Sequence, residues 1–425
     1  MTKLYFSKKK KAEPRLFVII GILCLIFALL LIGPYLYSRS RAVLPAFVTP
    51  TVEGAETVFT EAKRLFDAGE IDKAEQTLKP LLKGRDPVFT PRGILLQADI
   101  EVQRGQKEEA LKLLSGASDS FQGTVEYPDL VSRKARLLEE LGQVEDAKAI
   151  YESVRDNAPS EQRSLGLLGL GRLAEHEGNL FAARDLYRNA VEGAPWGSTV
   201  WNEAVEEMGR LNVQLIFSPE ESEESRYYAV ESGDSLISIG MKLNTTQGLL
   251  VKANNIDDVS RLTLGQRIKY TPKDFRIVIE RSTCSLYLFD SRGLFKRYRV
   301  GLGKAGHETA LGSYVLGNKQ KDPTWFKPGA GPIPAGDPAN ELGSRWMPMT
   351  PSKEGLPTDL GIHGTIAPDT VGQYSSMGCA RMTNNDVEEL FDLVVRSTPV
   401  DVVDVYKPEE VNTTAKVPEQ HADTL

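Results

Sequence analysis

The chain of 425 residues predicts a multidomain α+β protein: a single transmembrane helix, an α-solenoid of helix pairs, a small βααβ module and a β-rich C-terminal lobe. Three observations carry that reading. An unbroken apolar run fills residues 16–37, a glycine recurs at a fixed step between residues 69 and 178, and from Phe275 apolar side chains alternate in twos. The length is too great for one hydrophobic core. A net charge of −7 argues against a nucleic-acid partner, which would need a basic face to neutralise phosphates.

The apolar run comes first. At 1.5 Å per residue, about 20 apolar residues span a hydrocarbon core, so residues 16–38 read as an uncleaved anchor rather than the shorter core of a signal peptide. Lys3, Lys8, Lys9, Lys10, Lys11 and Arg15 precede it and only Arg39 and Arg41 follow closely. The basic tail, 1–15, is therefore expected in the cytoplasm and the rest of the chain across the membrane. Cys24 lies inside the run and reads as a thiol in lipid. A proline-containing linker, 39–54, follows.

Gly69, Gly105, Gly142 and Gly178 are spaced by 36, 37 and 36 residues, and five residues after each comes Ala74, Ala110, Ala147 or Ala183. Each unit reads as two amphipathic helices. Glycine supplies the left-handed residue that ends the first, and alanine lets the second approach closely. Pro87, Pro159 and Pro195 fall near unit ends, with Gly123 in the remaining one. The units resemble tetratricopeptide repeats over 55–215, with a last helix near 199–214 expected to cap the open end. Such a solenoid either offers a concave face to a protein partner or acts as a spacer. His176 reads as a solvated residue at a helix end.

The acidic stretch 216–226 reads as a hinge. Residues 227–272 then read strand, helix, helix, strand, with Val230 in the core, Asp234 capping the first helix and Gly265 turning into the last strand. This segment resembles a LysM domain. The resemblance implies binding of N-acetylglucosamine-containing glycan by Gly233, Asp234, Ser235, Leu236, Asn254, Asn255 and Ile256.

In the last lobe, residues 276–290 and 295–303 read as a β-hairpin about a turn at 291–293, and Cys284 as an inert thiol within the first strand. Further strands are expected at 314–316 and 401–405, and a helix at 387–396. The Gly- and Pro-rich stretch 328–338 reads as a long loop, and His307 as a solvated loop residue. Residues 407–425 read as a disordered tail.

Two strings carry chemistry: Gly-Ile-His-Gly-Thr at 361–365 and Ser-Met-Gly-Cys-Ala-Arg-Met at 376–382. With Gly301, Gly303, Thr309, Gly312, Trp325, the 340–347 segment and Asp386 in order around them, residues 275–406 resemble an L,D-transpeptidase catalytic domain, a β-rich sandwich or barrel. A peptide carbonyl is a poor electrophile. A thiol needs a nearby imidazole to take its proton and return it to the leaving amine. The resemblance implies Cys379 as nucleophile and His363 as general base and acid, with its tautomer fixed by the Gly364 carbonyl. It implies Gly378 and the Cys379 amide as oxyanion donors, and Arg381, Ser376, Trp325 and Trp346 as substrate contacts. Met377 stands where many members carry histidine, and Ala310-Leu311 where many read Pro-x.

The implied reaction is attack on the bond before the terminal D-alanine of a peptidoglycan tetrapeptide stem. A thioester forms, and the acyl group passes to an amine of another stem, to an envelope protein, or to water, which would make the reaction a carboxypeptidase cleavage. The alternative is a non-catalytic scaffold that binds peptidoglycan through its LysM module and recruits partners through its repeats. An NlpC-type cysteine hydrolase would place its cysteine before its histidine, the reverse of the order here. Three cysteines and four histidines, none at ligand spacing, give no metal site, and no cofactor is expected. The expected location is a bacterial cytoplasmic membrane, single-pass, with the catalytic part extracytoplasmic.

Overall fold

The computed structural model describes residues 54–327, 329 and 331–408. The expected anchor and most of the tail lie outside the described residues, among which no helix is long and apolar enough to cross a membrane. The chain forms two compact units that divide at residues 133/134.

The repeats follow from their glycines. Helices α1 (Ala55–Asp67), α3 (Phe89–Gln103), α5 (Tyr127–Glu140) and α7 (Ser160–His176) each end on one of the four. All four glycines hold φ between +77° and +79°. After every one, the next residue's amide reaches back to a carbonyl five residues earlier: Glu70 to Leu65, Gln106 to Glu101, Gln143 to Leu138, and Asn179 to Ala174. That is a Schellman turn repeated four times. The partner helices are α2 (Ile71–Leu82), α4 (Lys107–Ser120), α6 (Val144–Asn157) and α8 (Leu180–Gly193). Their alanines at glycine plus five are fully buried, as are Leu78, Leu114, Tyr151 and Tyr187 at glycine plus nine. In the second unit the rings lie where a Cβ on Gly169 or Gly171 would otherwise sit. Tyr151 donates to Glu139 at 3.0 Å and accepts from Arg172 at 2.9 Å.

Helix α9 (Thr199–Phe217), capped by the Ser198 hydroxyl, is more than the expected cap. Its Trp201, Met208 and Leu211 share a core with Tyr287, Phe289, Leu294 and Tyr406 of the last lobe. Asn212 donates to the Phe295 carbonyl at 2.7 Å. The acidic stretch is likewise tied down. Lys269 donates to the carbonyls of Ser218 and Glu220, and Lys273 pairs with Glu224 at 3.0 Å and Asp290 at 2.6 Å.

The small module is β1 (Arg226–Ala229), α10 (Leu236–Lys242), α11 (Gln247–Ala253) and β2 (Arg267–Tyr270), its strands antiparallel. Val230, Leu236, Ile239, Leu250 and Ile268 fill its core. Ser235, not Asp234, caps α10 through a reciprocal capping box with Ser238. Asp234 is engaged elsewhere, accepting from the Glu231 amide, Tyr228 and Lys242.

The C-terminal lobe is built on β3 (Arg276–Glu280), β4 (Ser285–Asp290), β5 (Gly293–Arg299), β6 (Leu302–Gly303), β7 (Gly312–Leu316) and β8 (Gln320–Lys321). The ribbon β9 (Trp325–Phe326) and β10 (Pro332–Ile333) follows, then β11 (Arg345–Pro351), β12 (Gly361–His363), β13 (Tyr374–Ser376), β14 (Ala380–Arg381), helix α12 (Asn384–Leu393) and β15 (Pro399–Val403). The main sheet runs β14-β12-β11-β7-β15-β3-β4-β5, with β8 beside β11. β14 lies parallel to β12 and β15 parallel to β3. Val387, Leu390 and Leu393 of α12 join the sheet core.

The expected first hairpin strand is two strands, β3 and β4, joined by a tight turn, so Cys284 lies in the turn at φ +50° rather than in a strand. Glu280 gathers the Ser282, Thr283 and Tyr287 hydroxyls there, and the polar residues that build the turn mimic strand alternation. Helix α12 begins three residues before the expected 387, with the Thr383 hydroxyl as its cap.

Candidate active site

His363 ends β12 and pairs in register with Arg381 of β14 on one side and Trp346 of β11 on the other. Ile362 pairs with Ala380, so Cys379 stands beside Gly361, two residues up the strand from His363. Side chains two apart on a strand share a face, and diagonal neighbours on adjacent strands are about 7–8 Å apart at the backbone, within side-chain reach. Cys379, in the bend that leads into β14, therefore lies one diagonal step from His363.

The imidazole is almost fully buried. Its Nδ1 lies 2.6 Å from the Gly364 carbonyl oxygen, which can only accept. Nδ1 therefore carries the proton and Nε2 keeps the lone pair a base needs. Burial, and then the Arg381 charge, lower the His363 pKa to about 4, against the opposing pull of the Gly364 carbonyl. The half-buried thiol of Cys379 is pushed up to about 11 by desolvation, against a hydrogen bond from the Gly361 backbone. Its Sγ also faces the Asp359 carbonyl at 3.7 Å. At neutral pH the resting pair is neutral thiol and neutral imidazole.

Ser376 is buried and shapes the cysteine turn: its Oγ donates to the Cys379 carbonyl at 2.7 Å and accepts from the Gly378 amide at 3.2 Å. The Gly378 amide, expected as an oxyanion donor, is thus already engaged in the resting site. Gly378 itself holds φ +122°, a conformation that favours glycine. Arg381 donates to Thr370 Oγ1 at 3.3 Å and lies 3.6 Å from the Glu341 carboxylate. Its buried Nε has no hydrogen-bond partner.

Trp346 stacks at a tilt on His363, centroids 5.9 Å apart, and its ring occupies the space a Cβ on Gly361 would need. Trp325 sits apart on the β9–β10 ribbon, with the Lys327 ammonium 4.9 Å from its ring centroid. Asn340 ties that ribbon down by donating to the carbonyls of Pro323, Ile333 and Pro334.

One residue of the site was not anticipated. Asn384 Oδ1 accepts from the amides of Ser344 and Thr365 at 3.1 and 3.2 Å, bracing the loop whose Gly364 carbonyl orients the histidine. Its only sequence signal is its place just after the cysteine motif, at the start of a helix.

In the small module, Leu236 is core and Ile256 packs against the core. The Asn254 side chain is spent on Leu250 and on both backbone groups of Lys269. Of the expected glycan contacts, Gly233 at φ +86° and exposed Asn255 at φ +49° remain free to face a ligand, whereas the exposed Ser235 hydroxyl is held in its cap by Ser238. Asp234 is held down to about 2, chiefly by the Glu231 amide and then by Lys242. Among the described residues no cluster of His, Cys, Asp and Glu could hold a metal ion.

Comparison with known proteins agrees with this division. Residues 274–402 match the L,D-transpeptidase catalytic domain, 228–271 the LysM domain and 132–197 the tetratricopeptide repeat. The YkuD protein of Bacillus licheniformis, which carries the L,D-transpeptidase name, is 30% identical over 41% of this chain and 97% of its own length. Its Bacillus subtilis counterpart is 31% identical over 41% of this chain and 97% of its own. A solved L,D-transpeptidase of Mycobacterium tuberculosis aligns at 15% identity over 33% of this chain and 64% of its own, TM-score 0.26. The chain belongs to the L,D-transpeptidase family, with a LysM domain and tetratricopeptide repeats preceding the catalytic domain.

Proposed function

We propose that this chain is a membrane-anchored cell-wall transpeptidase that works through a Cys379 thioester. His363 Nε2 takes the thiol proton as sulfur attacks the carbonyl before the terminal D-alanine of a tetrapeptide stem. The C–N bond breaks, the imidazolium returns the proton to the departing amine, and D-alanine leaves. An amine acceptor, from a second stem or an envelope protein, then displaces the sulfur and restores the resting pair. The Cys379 amide is the donor best suited to the developing oxyanion, because the Gly378 amide is held by Ser376. Arg381 and Trp346 line the approach beside His363. The LysM module holds glycan, and residues 16–38 fix the chain in a bacterial cytoplasmic membrane with the catalyst outside. Tethering raises the effective concentration of catalyst at its wall to the order of millimolar for short linkers, so weak glycan binding suffices.

The observation that carries this reading is the His363 ring, oriented by the Gly364 carbonyl, two residues along β12 from the point where Cys379 stands beside Gly361. The test is acylation. A carbapenem, a strained acyl donor for a nucleophilic thiol, is incubated with the protein and the intact mass is measured. A single adduct on the wild type and none on Cys379→Ala supports the mechanism. No adduct, or an equal adduct on the variant, favours the scaffold reading.

A further inference from the structure

A cleft of about 980 Å³ opens between the LysM helices and the far end of α12, and neither Cys379 nor any of the expected glycan contacts lines it. Its walls carry five cationic side chains, Lys252, Lys319, Lys321, Arg345 and Arg396, against one carboxylate, Asp392. That balance is unusual in a chain of net charge −7. Asp392 is already paired with Lys252 at 2.8 Å.

The remaining cations are unevenly compensated: among the described residues Arg345 has two carboxylates in ion-pair range, and Lys319, Lys321 and Arg396 have none. Lys319 donates to the carbonyls of Phe391 and Val394, both at 2.5 Å, which orient its ammonium but leave its charge. Burial pushes its pKa down to about 8. Arg345 is mostly buried, with its Nε unpartnered and the nearest carboxylates 3.7 and 3.8 Å from its Nη1. Lys321 and Arg396 are exposed at the mouth. Like charges gathered against low-dielectric walls concentrate a positive field that an anionic ligand relieves. The rim is also apolar: Ile237 and Met241 are 58% and 74% exposed. Carboxylates on a short chain with apolar side groups fit both features, and the volume suits an oligopeptide.

We propose that this cleft binds the carboxylates of a peptide stem on the same glycan strand that the LysM module holds. The inference rests on the cell-wall reading above. The module would then read stem as well as sugar, and favour strands whose peptides are still in place.

The test uses the full chain in detergent micelles and isothermal titration with two probes: glycan oligomers bearing tetrapeptide stems, and the same oligomers after amidase removal of the stems. The stem-bearing glycan should bind at least tenfold more tightly at low salt, with the advantage shrinking as salt rises. K321E/R396E should erase the difference, whereas the charge-keeping K321R/R396K should retain it. Both positions are exposed, and a melting curve checks folding. Equal affinity for the two probes, or a difference that survives K321E/R396E, overturns the proposal. Tighter binding of poly(glycerol phosphate) than of stem-bearing glycan, lost in K321E/R396E, also overturns it in favour of a phosphate polymer. Carbapenem acylation is measured separately on the wild type, so a failure of the catalytic mechanism is told apart from a failure of the cleft.

Discussion

The third and fourth helical repeats and the catalytic strands use one packing device for opposite ends. In both, a glycine makes room for an aromatic ring: Gly169 for Tyr151 and Gly171 for Tyr187 in the repeats, Gly361 for Trp346 in the catalytic lobe. In the repeats the ring is sealed, fully buried with its hydroxyl engaged by Glu139 and Arg172. In the lobe the ring stays half-buried and tilted beside His363. Beside it the Arg381 Nε has no hydrogen-bond partner, and the half-buried Cys379 thiol meets only backbone groups. The same close approach makes a rigid strut where the ring's hydroxyl is satisfied, and a crevice where a neighbouring buried donor is left open.

That contrast can be broken from either side. The largest effect is expected at the base. His363→Gln should slow carbapenem acylation by about 10²–10⁴-fold, the usual worth of a positioned proton acceptor, with little change in the melting curve. Gly361→Ala should come next. Its methyl would push Trp346 against His363, and a displacement of about 1 Å at a reacting group costs roughly 100-fold in rate. Stopped-flow acylation would detect this, and an unchanged rate would show that the tryptophan does not position the base.

The corresponding change in the repeats, Gly169→Ala, should leave acylation alone and cost about 1–3 kcal/mol of stability through overpacking, read by denaturant unfolding. A loss of acylation there would mean that the repeats and the site are coupled. The smallest effect is expected for Tyr151→Phe, about 1 kcal/mol, because Glu139 and Arg172 remain within 3.4 Å of each other when the hydroxyl is gone.

The repeat was legible because its signal is local. A residue at φ near +78° has to be glycine or close to it, and the period exposes it. His363, Gly364 and Cys379 were legible because two short strings held them all. What escaped was made by distance. Asn384 braces Gly364 from 20 residues away, and Asn254 is spent on a strand 15 residues on. The turn at Cys284 was hidden because Glu280 draws hydroxyls into it at strand-like spacing. The module's cap was assigned one residue early because Asp234 and Ser235 are both cap-formers, and only the competing demands of Tyr228 and Lys242 decide between them. The role of α9 as a joint with the catalytic lobe depends on Tyr287, Phe289 and Tyr406, far along the chain, which no local pattern carries.

The central claim is that sulfur and imidazole rest neutral and exchange a proton only as substrate is attacked. Burial disfavours both charged forms: it raises the thiol to about 11 and lowers the imidazole to about 4. The rate of Cys379 alkylation by iodoacetamide against pH reads this directly. It should be slow at pH 7 and still rising above pH 9, with peptide mapping assigning the label to Cys379. A plateau reached below pH 8 would reveal a resting thiolate–imidazolium pair and contradict the account.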